Sequence, residues 1–101
     1  MLTLKVTQAD IDAAWEAKAR PITLSYMASM YCPIAQALAR TYSVPAGYVT
    51  AGQTDLVVIS PTGDTRLFFC ATTKAIRAYE RLWDERAKAQ PHTFRIRESA
   101  P

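Results

Sequence analysis

The sequence predicts an α+β domain in which an antiparallel sheet of about four to five strands (an N-terminal strand, a central meander and a C-terminal strand) is packed by two to three helices. Three observations lead there. Both ends alternate apolar and polar residues, with Leu2, Leu4 and Val6 near the start and Phe94 and Ile96 near the end. The middle, residues 47–71, is rich in β-branched and aromatic residues broken by Gly and Pro. The intervals between carry apolar residues at helical spacing. A chain of 101 residues, 50% hydrophobic and 21% charged, reads as a single domain over residues 1–101 that closes a core without metal or disulfide.

Taken in order, Leu2, Leu4 and Val6 mark a strand with one buried face. Thr7 followed by Asp10 resembles a capping box, and Ile11, Ala14 and Trp15 then recur on one side of a helix that Pro21 stops. Residues 22–31 read two ways. Ile22, Leu24 and Tyr26 alternate like a strand, whereas Tyr26, Met27, Met30 and Tyr31 recur like a helix; the reading taken is an irregular or partly helical lead-in. Pro33 suits the first position of the next helix, where its missing N–H costs nothing, and so places Cys32 at or next to the N-cap.

Ser43, Pro45 and Gly47 end that helix, and short strands follow over residues 47–50, 54–60 and 65–71. The last two are joined through the turn Pro61-Thr62-Gly63-Asp64. Leu56-Val57-Val58-Ile59 and Leu67-Phe68-Phe69 are apolar on both faces, so helices cover one side and a second cover, the chain's own or a partner's, meets the other. Thr72 or Thr73 caps the longest helix, which runs to about residue 89 before Pro91. At 3.6 residues per turn, Ile76, Tyr79, Trp83 and Ala87 share its core side. Lys74, Arg77, Arg81 and Lys88 fall within about 60° of one another on the opposite side. The two terminal strands pair with each other or flank the meander.

The net charge of +3 is unevenly placed. Residues 1–65 carry four basic and five acidic side chains, residues 66–101 eight basic and four acidic, so an acidic partner would bind the C-terminal third. Residues 1–9 alternate in polarity and run straight into Asp10 and Asp12, unlike a secretory signal, and no apolar run reaches membrane-spanning length. The expectation is a cytosolic protein, off the membrane, with Cys32 and Cys70 reduced.

The chemistry is sparse. His92, the single histidine, shares parity with Phe94 and Ile96 and reads as a half-buried structural residue; a Cys-His centre would have to bring it to Cys32 or Cys70 across the fold. Two cysteines and one histidine at unrelated spacings make no zinc motif, and glycines at 47, 52 and 63 make neither a P-loop nor a dinucleotide fingerprint. Neither metal, cofactor nor enzymatic activity is expected. Asp10, Asp12 and Glu16 read as solvated carboxylates favoured by the first helix's dipole, and Cys70 as a small core residue. Cys32 is either a buried thiol beside Ile34 or a helix-start anion or thiol site.

The basic stripe offers a binding face of Lys74, Arg77, Arg81 and Lys88, extended by Arg95 and Arg97 on the last strand. Glu85 lies inside that stripe and Asp84 at its edge, and the i,i+4 pairs Arg81–Glu85 and Asp84–Lys88 are what an ordinary solvated helix shows.

The segment Cys32-Pro33-Ile34-Ala35-Gln36-Ala37-Leu38, with the acidic helix start Thr7-Gln8-Ala9-Asp10-Ile11 and the closing Pro91-His92-Thr93-Phe94, resembles a group of small bacteriophage proteins. Those begin with a short strand and a T-x-x-D-I helix start, carry C-P-[IV]-A-x-A-L, and end in a P-F-x-F-like strand. The matches run in the same order along most of the chain; the longer insert at residues 19–31 and His92 depart from the pattern. The resemblance carries no catalytic residues over. It implies a non-enzymatic binding protein, an anti-defence type of inhibitor that blocks or sequesters a host component in the host cytoplasm, with a host protein as partner and a homo-oligomer allowed. The alternative is a nucleic-acid or nucleotide-binding accessory protein that uses the basic C-terminal third.

Overall fold

A computed structural model of the chain describes residues 2–18, 32–51, 54–63, 65–86 and 90–96. In chain order the elements are β1 (Leu2–Val6), α1 (Gln8–Lys18), α2 (Pro33–Tyr42), a 3-10 turn (Ala46–Tyr48), β2 (Val49–Ala51), β3 (Asp55–Ile59), β4 (Arg66–Ala71), α3 (Lys74–Arg86) and β5 (His92–Ile96). The α+β class follows, with the strands divided between two antiparallel sheets: a β1-β5 ribbon and the meander β2-β3-β4. The terminal strands thus pair with each other. Their register sets Leu4 opposite Phe94 and Leu2 opposite Ile96, so one face of the ribbon buries Leu4, Val6, Phe94 and Ile96 and ends where Val6 meets His92.

Helix α2 lies at the centre of the molecule and packs against α1, β1, β2 and β3. Its sequence explains that position. Ile34, Ala35, Ala37, Leu38 and Ala39 leave little polar surface, and the alanines let neighbouring backbones approach closely. Cys32 is the N-cap in extended geometry, Pro33 takes the first turn, and the Gln36 N–H donates to the Cys32 carbonyl at 3.1 Å. The helix ends on Ser43 at φ 56°, where the Ser43 and Val44 N–H groups donate to the carbonyls of Arg40 and Ala39.

The expected turn between β3 and β4 forms: the Gly63 N–H donates to the Ser60 carbonyl at 2.8 Å, the Ser60 N–H to the Thr65 carbonyl at 2.8 Å, and Gly63 supplies φ 78°. A bulge then shifts the register from Val58 opposite Phe68 to Ile59 opposite Arg66. Leu56, Val58, Phe68 and Cys70 point into the core, so Cys70 is the small core residue expected. The first meander strand starts at Val49, because residues 46–48 close a 3-10 turn in which the Tyr48 N–H donates to the Pro45 carbonyl.

The capping box at α1 is present: the Thr7 N–H donates to Asp10 Oδ2 at 2.9 Å and the Asp10 N–H to Thr7 Oγ1 at 3.3 Å. At α3 the choice between two threonines falls on Thr73, whose Oγ1 accepts from the Ile76 N–H at 3.2 Å. Ile76 and Trp83 are fully buried beneath that helix and Tyr79 packs at the core margin.

Two expectations for side-chain placement are corrected. Trp15 does not share the buried face of α1: Ile11, Ala14 and Ala17 take it, and Trp15 stays 47% exposed with its ring edge-on to Trp83 at 5.1 Å. His92 is exposed rather than half-buried, because it is the first residue of β5 and reaches past the apolar face. Residues 22–31, Ala87, Lys88 and Arg97 lie outside the described residues.

Candidate functional site

The outward side of α3 carries Lys74, Arg77 and Arg81, all exposed. Their placement follows from the buried positions: Ile76 and Trp83 fix the helix rotation, and residues at 74, 77 and 81 must then face solvent. Among the described residues none of the three pairs with a carboxylate. The expected Arg81–Glu85 and Asp84–Lys88 pairs involve side chains outside the described residues.

Arg95 does not extend this face. Phe94 turns toward α3 and meets the Tyr79 ring edge-on at 5.4 Å, so Arg95, one residue on, occupies the opposite face of the ribbon. There it pairs across the ribbon with Thr3, diagonal to exposed Lys5. Among the described residues the cationic face of α3 is therefore Lys74, Arg77 and Arg81, while Arg95 lies on the outer face of the ribbon with Lys5 of β1.

Cys32 is half-buried against the core, and its Sγ donates to Glu80 Oε2 at 3.9 Å. Glu80, on α3, is itself buried, at 8% exposure. The acidic group next to Cys32 at the start of α2 is thus a side chain of the chain's own α3. Cys32 and Cys70 are not joined by a disulfide.

Asp10, expected as a solvated carboxylate, is instead buried at 4% exposure. Arg40 Nε donates to its Oδ1 and Nη2 to its Oδ2, both at 3.1 Å, while Nη2 also donates to the Lys5 carbonyl at 2.7 Å. Hydrogen bonding to Asp10 is the main cause holding the Arg40 guanidinium above its ordinary pKa. Spacing along the chain gives no sign of this pair, since 30 residues separate the partners. The capping motif at Thr7 and Asp10 was the available signal, because a carboxylate fixed at a helix start is already partly withdrawn from water.

Tyr79 links several of these groups. Its hydroxyl donates to the Gln90 carbonyl at 2.9 Å, and burial first, with the electrostatic influence of nearby Cys32 and Asp10 adding to it, pushes its pKa up to about 12. His92 stacks in the same aromatic group, 4.5 Å from the Phe94 ring and 6.5 Å from that of Tyr79. The histidine faces rings and solvent, and makes no hydrogen bond to either thiol among the described residues.

Among the described residues no three His, Cys, Asp or Glu side chains gather as a metal-ion cage. No helix there is long and apolar enough to cross a membrane. In comparison with known proteins, no family model matches the chain, and neither a curated protein nor a solved structure matches it.

Proposed function

We propose that the chain is a non-enzymatic binding protein of the phage type, which blocks or sequesters a host protein by presenting the cationic face of α3 to an acidic surface. One observation carries this reading: Lys74, Arg77 and Arg81 stand together on the exposed side of a helix whose opposite side is locked into the core by Ile76 and Trp83. Such a face is rigid and free of pairing to described carboxylates, so its charges are available to a partner at little ordering cost. The C-P-I-A-Q-A-L segment and its resemblance to small bacteriophage proteins support a role against a host component.

The test is capture of host proteins on the immobilised chain, compared with Arg77→Glu/Arg81→Glu at two salt concentrations. A defined acidic protein retained by the wild type, lost from the double variant and eluted by salt is the expected result. Retention that ignores both the charge reversal and the salt would refute it.

The alternative, a nucleic-acid or nucleotide-binding accessory role, draws on the same cations. Three phosphate contacts give log K a slope of roughly −2 to −3 against log salt. DNA or RNA binding of that slope, abolished by the same double variant, would place the alternative first.

A further inference from the structure

The meander's outer face is apolar in the middle and oppositely charged at its ends. Alternation along β3 turns Asp55, Val57 and Ile59 to the side away from the core, while Leu56 and Val58 face inward. On β4, Phe69 stands opposite Val57 and Arg66 opposite Ile59, and the Arg66 guanidinium lies over the Phe69 ring at 4.7 Å. Leu67 shares the outward parity of Phe69, and the bulge turns Arg66 to that face too; Leu67 is 39% and Ile59 37% exposed. Neither Asp55 nor Arg66 forms an ion pair among the described residues. They sit at opposite ends of the same face, about 13 Å apart along the strand direction.

We propose that this face is the dimer interface of the protein, packed on the same face of a second copy about a two-fold axis that crosses the strands at Val57 and Phe69. The charge layout selects that occupant. A two-fold rotation about an axis lying across the strands reverses strand direction in the facing copy. It therefore brings each Asp55 to the end that holds the partner's Arg66, and sets Val57 and Phe69 against their own equivalents. At the usual spacing of about 10 Å between stacked sheets, an arginine and an aspartate displaced by one strand reach each other. An axis along the strands would instead set like charges together. Three short strands make a platform smaller than the about 800 Å² per partner of a standard interface, so the dimer is weak and its population follows concentration. This surface is separate from the cationic face of α3.

Sedimentation equilibrium of the full chain over a concentration series decides the matter. The expected result is a monomer-dimer equilibrium in the micromolar range or weaker, reduced about tenfold or more by Asp55→Arg or Arg66→Asp alone and restored by the two together. Phe69→Lys, with circular dichroism as the check of folding, is expected to be monomeric. A wild-type chain that stays monomeric at millimolar concentration would overturn the proposal. So would a dimer indifferent to the charge reversals, or a monomer whose Phe69→Lys variant loses a foreign protein retained by the wild type.

Discussion

The Arg40 guanidinium closes on the Asp10 carboxylate with two parallel contacts of 3.1 Å, and the same carboxylate caps α1 by accepting from the Thr7 N–H and Thr7 Oγ1. One buried acid thus ties the end of β1, the start of α1 and the end of α2 together. The fork geometry suits arginine and not lysine, since a second donor nitrogen is needed for the second oxygen.

Removing either half of this pair is therefore asymmetric. Arg40→Met leaves a nearly buried carboxylate without its counter-charge and is expected to cost about 2–3 kcal/mol, whereas Asp10→Asn keeps part of the cap and costs about 1–2 kcal/mol. Urea unfolding with a fixed slope measures both. An unchanged midpoint in Arg40→Met would show that the pair contributes nothing.

Tyr79 makes stability fall at high pH. Its folded pKa of about 12 lies above the ordinary 10.0, so the hydroxyl stays protonated in the native state while the unfolded chain ionises. The stability present below pH 10 is then lost as pH rises from 10 toward 12. Tyr79→Phe is expected to flatten that part of the profile, and absorbance titration of the phenolate in the wild type to show one late-ionising tyrosine. A Tyr79→Phe profile parallel to the wild type would remove the assignment.

Cys32 is expected to label slowly with an alkylating reagent at neutral pH. A thiolate there would lie next to the Glu80 carboxylate, 3.9 Å from Sγ, and half of the cysteine's surface is covered. Glu80→Gln removes the repulsion and is expected to raise the labelling rate several-fold. Rapid labelling of the wild type would instead reopen a nucleophilic role for this thiol.

Ser43 holds a left-handed backbone at φ 56° that costs a residue with a Cβ about 1 kcal/mol. Ser43→Gly is expected to raise the thermal midpoint, with a gain of about 0.5–1 kcal/mol after the flexibility of glycine in the unfolded chain is counted. Gly63→Ala, at φ 78° with open space around it, is expected to destabilise through the backbone alone. Calorimetry on the two variants checks the opposite signs.

What could be read along the chain is what short-range physics controls. The α+β class, the Thr7–Asp10 capping box, Cys32 as the N-cap before Pro33, the Ser60–Thr65 hairpin and the buried Ile76–Trp83 side of α3 each depend on residues within a few positions of one another, where period, caps and turn residues act directly. Tertiary structure decided the rest. It paired the terminal strands into their own ribbon, buried Asp10 against Arg40, set Glu80 beside Cys32, left Trp15 on the surface and turned Arg95 away from Lys74, Arg77 and Arg81. Periodicity says that a residue shares a face with its neighbours; which face is covered, and by which distant charge or ring, depends on how the elements pack around α2.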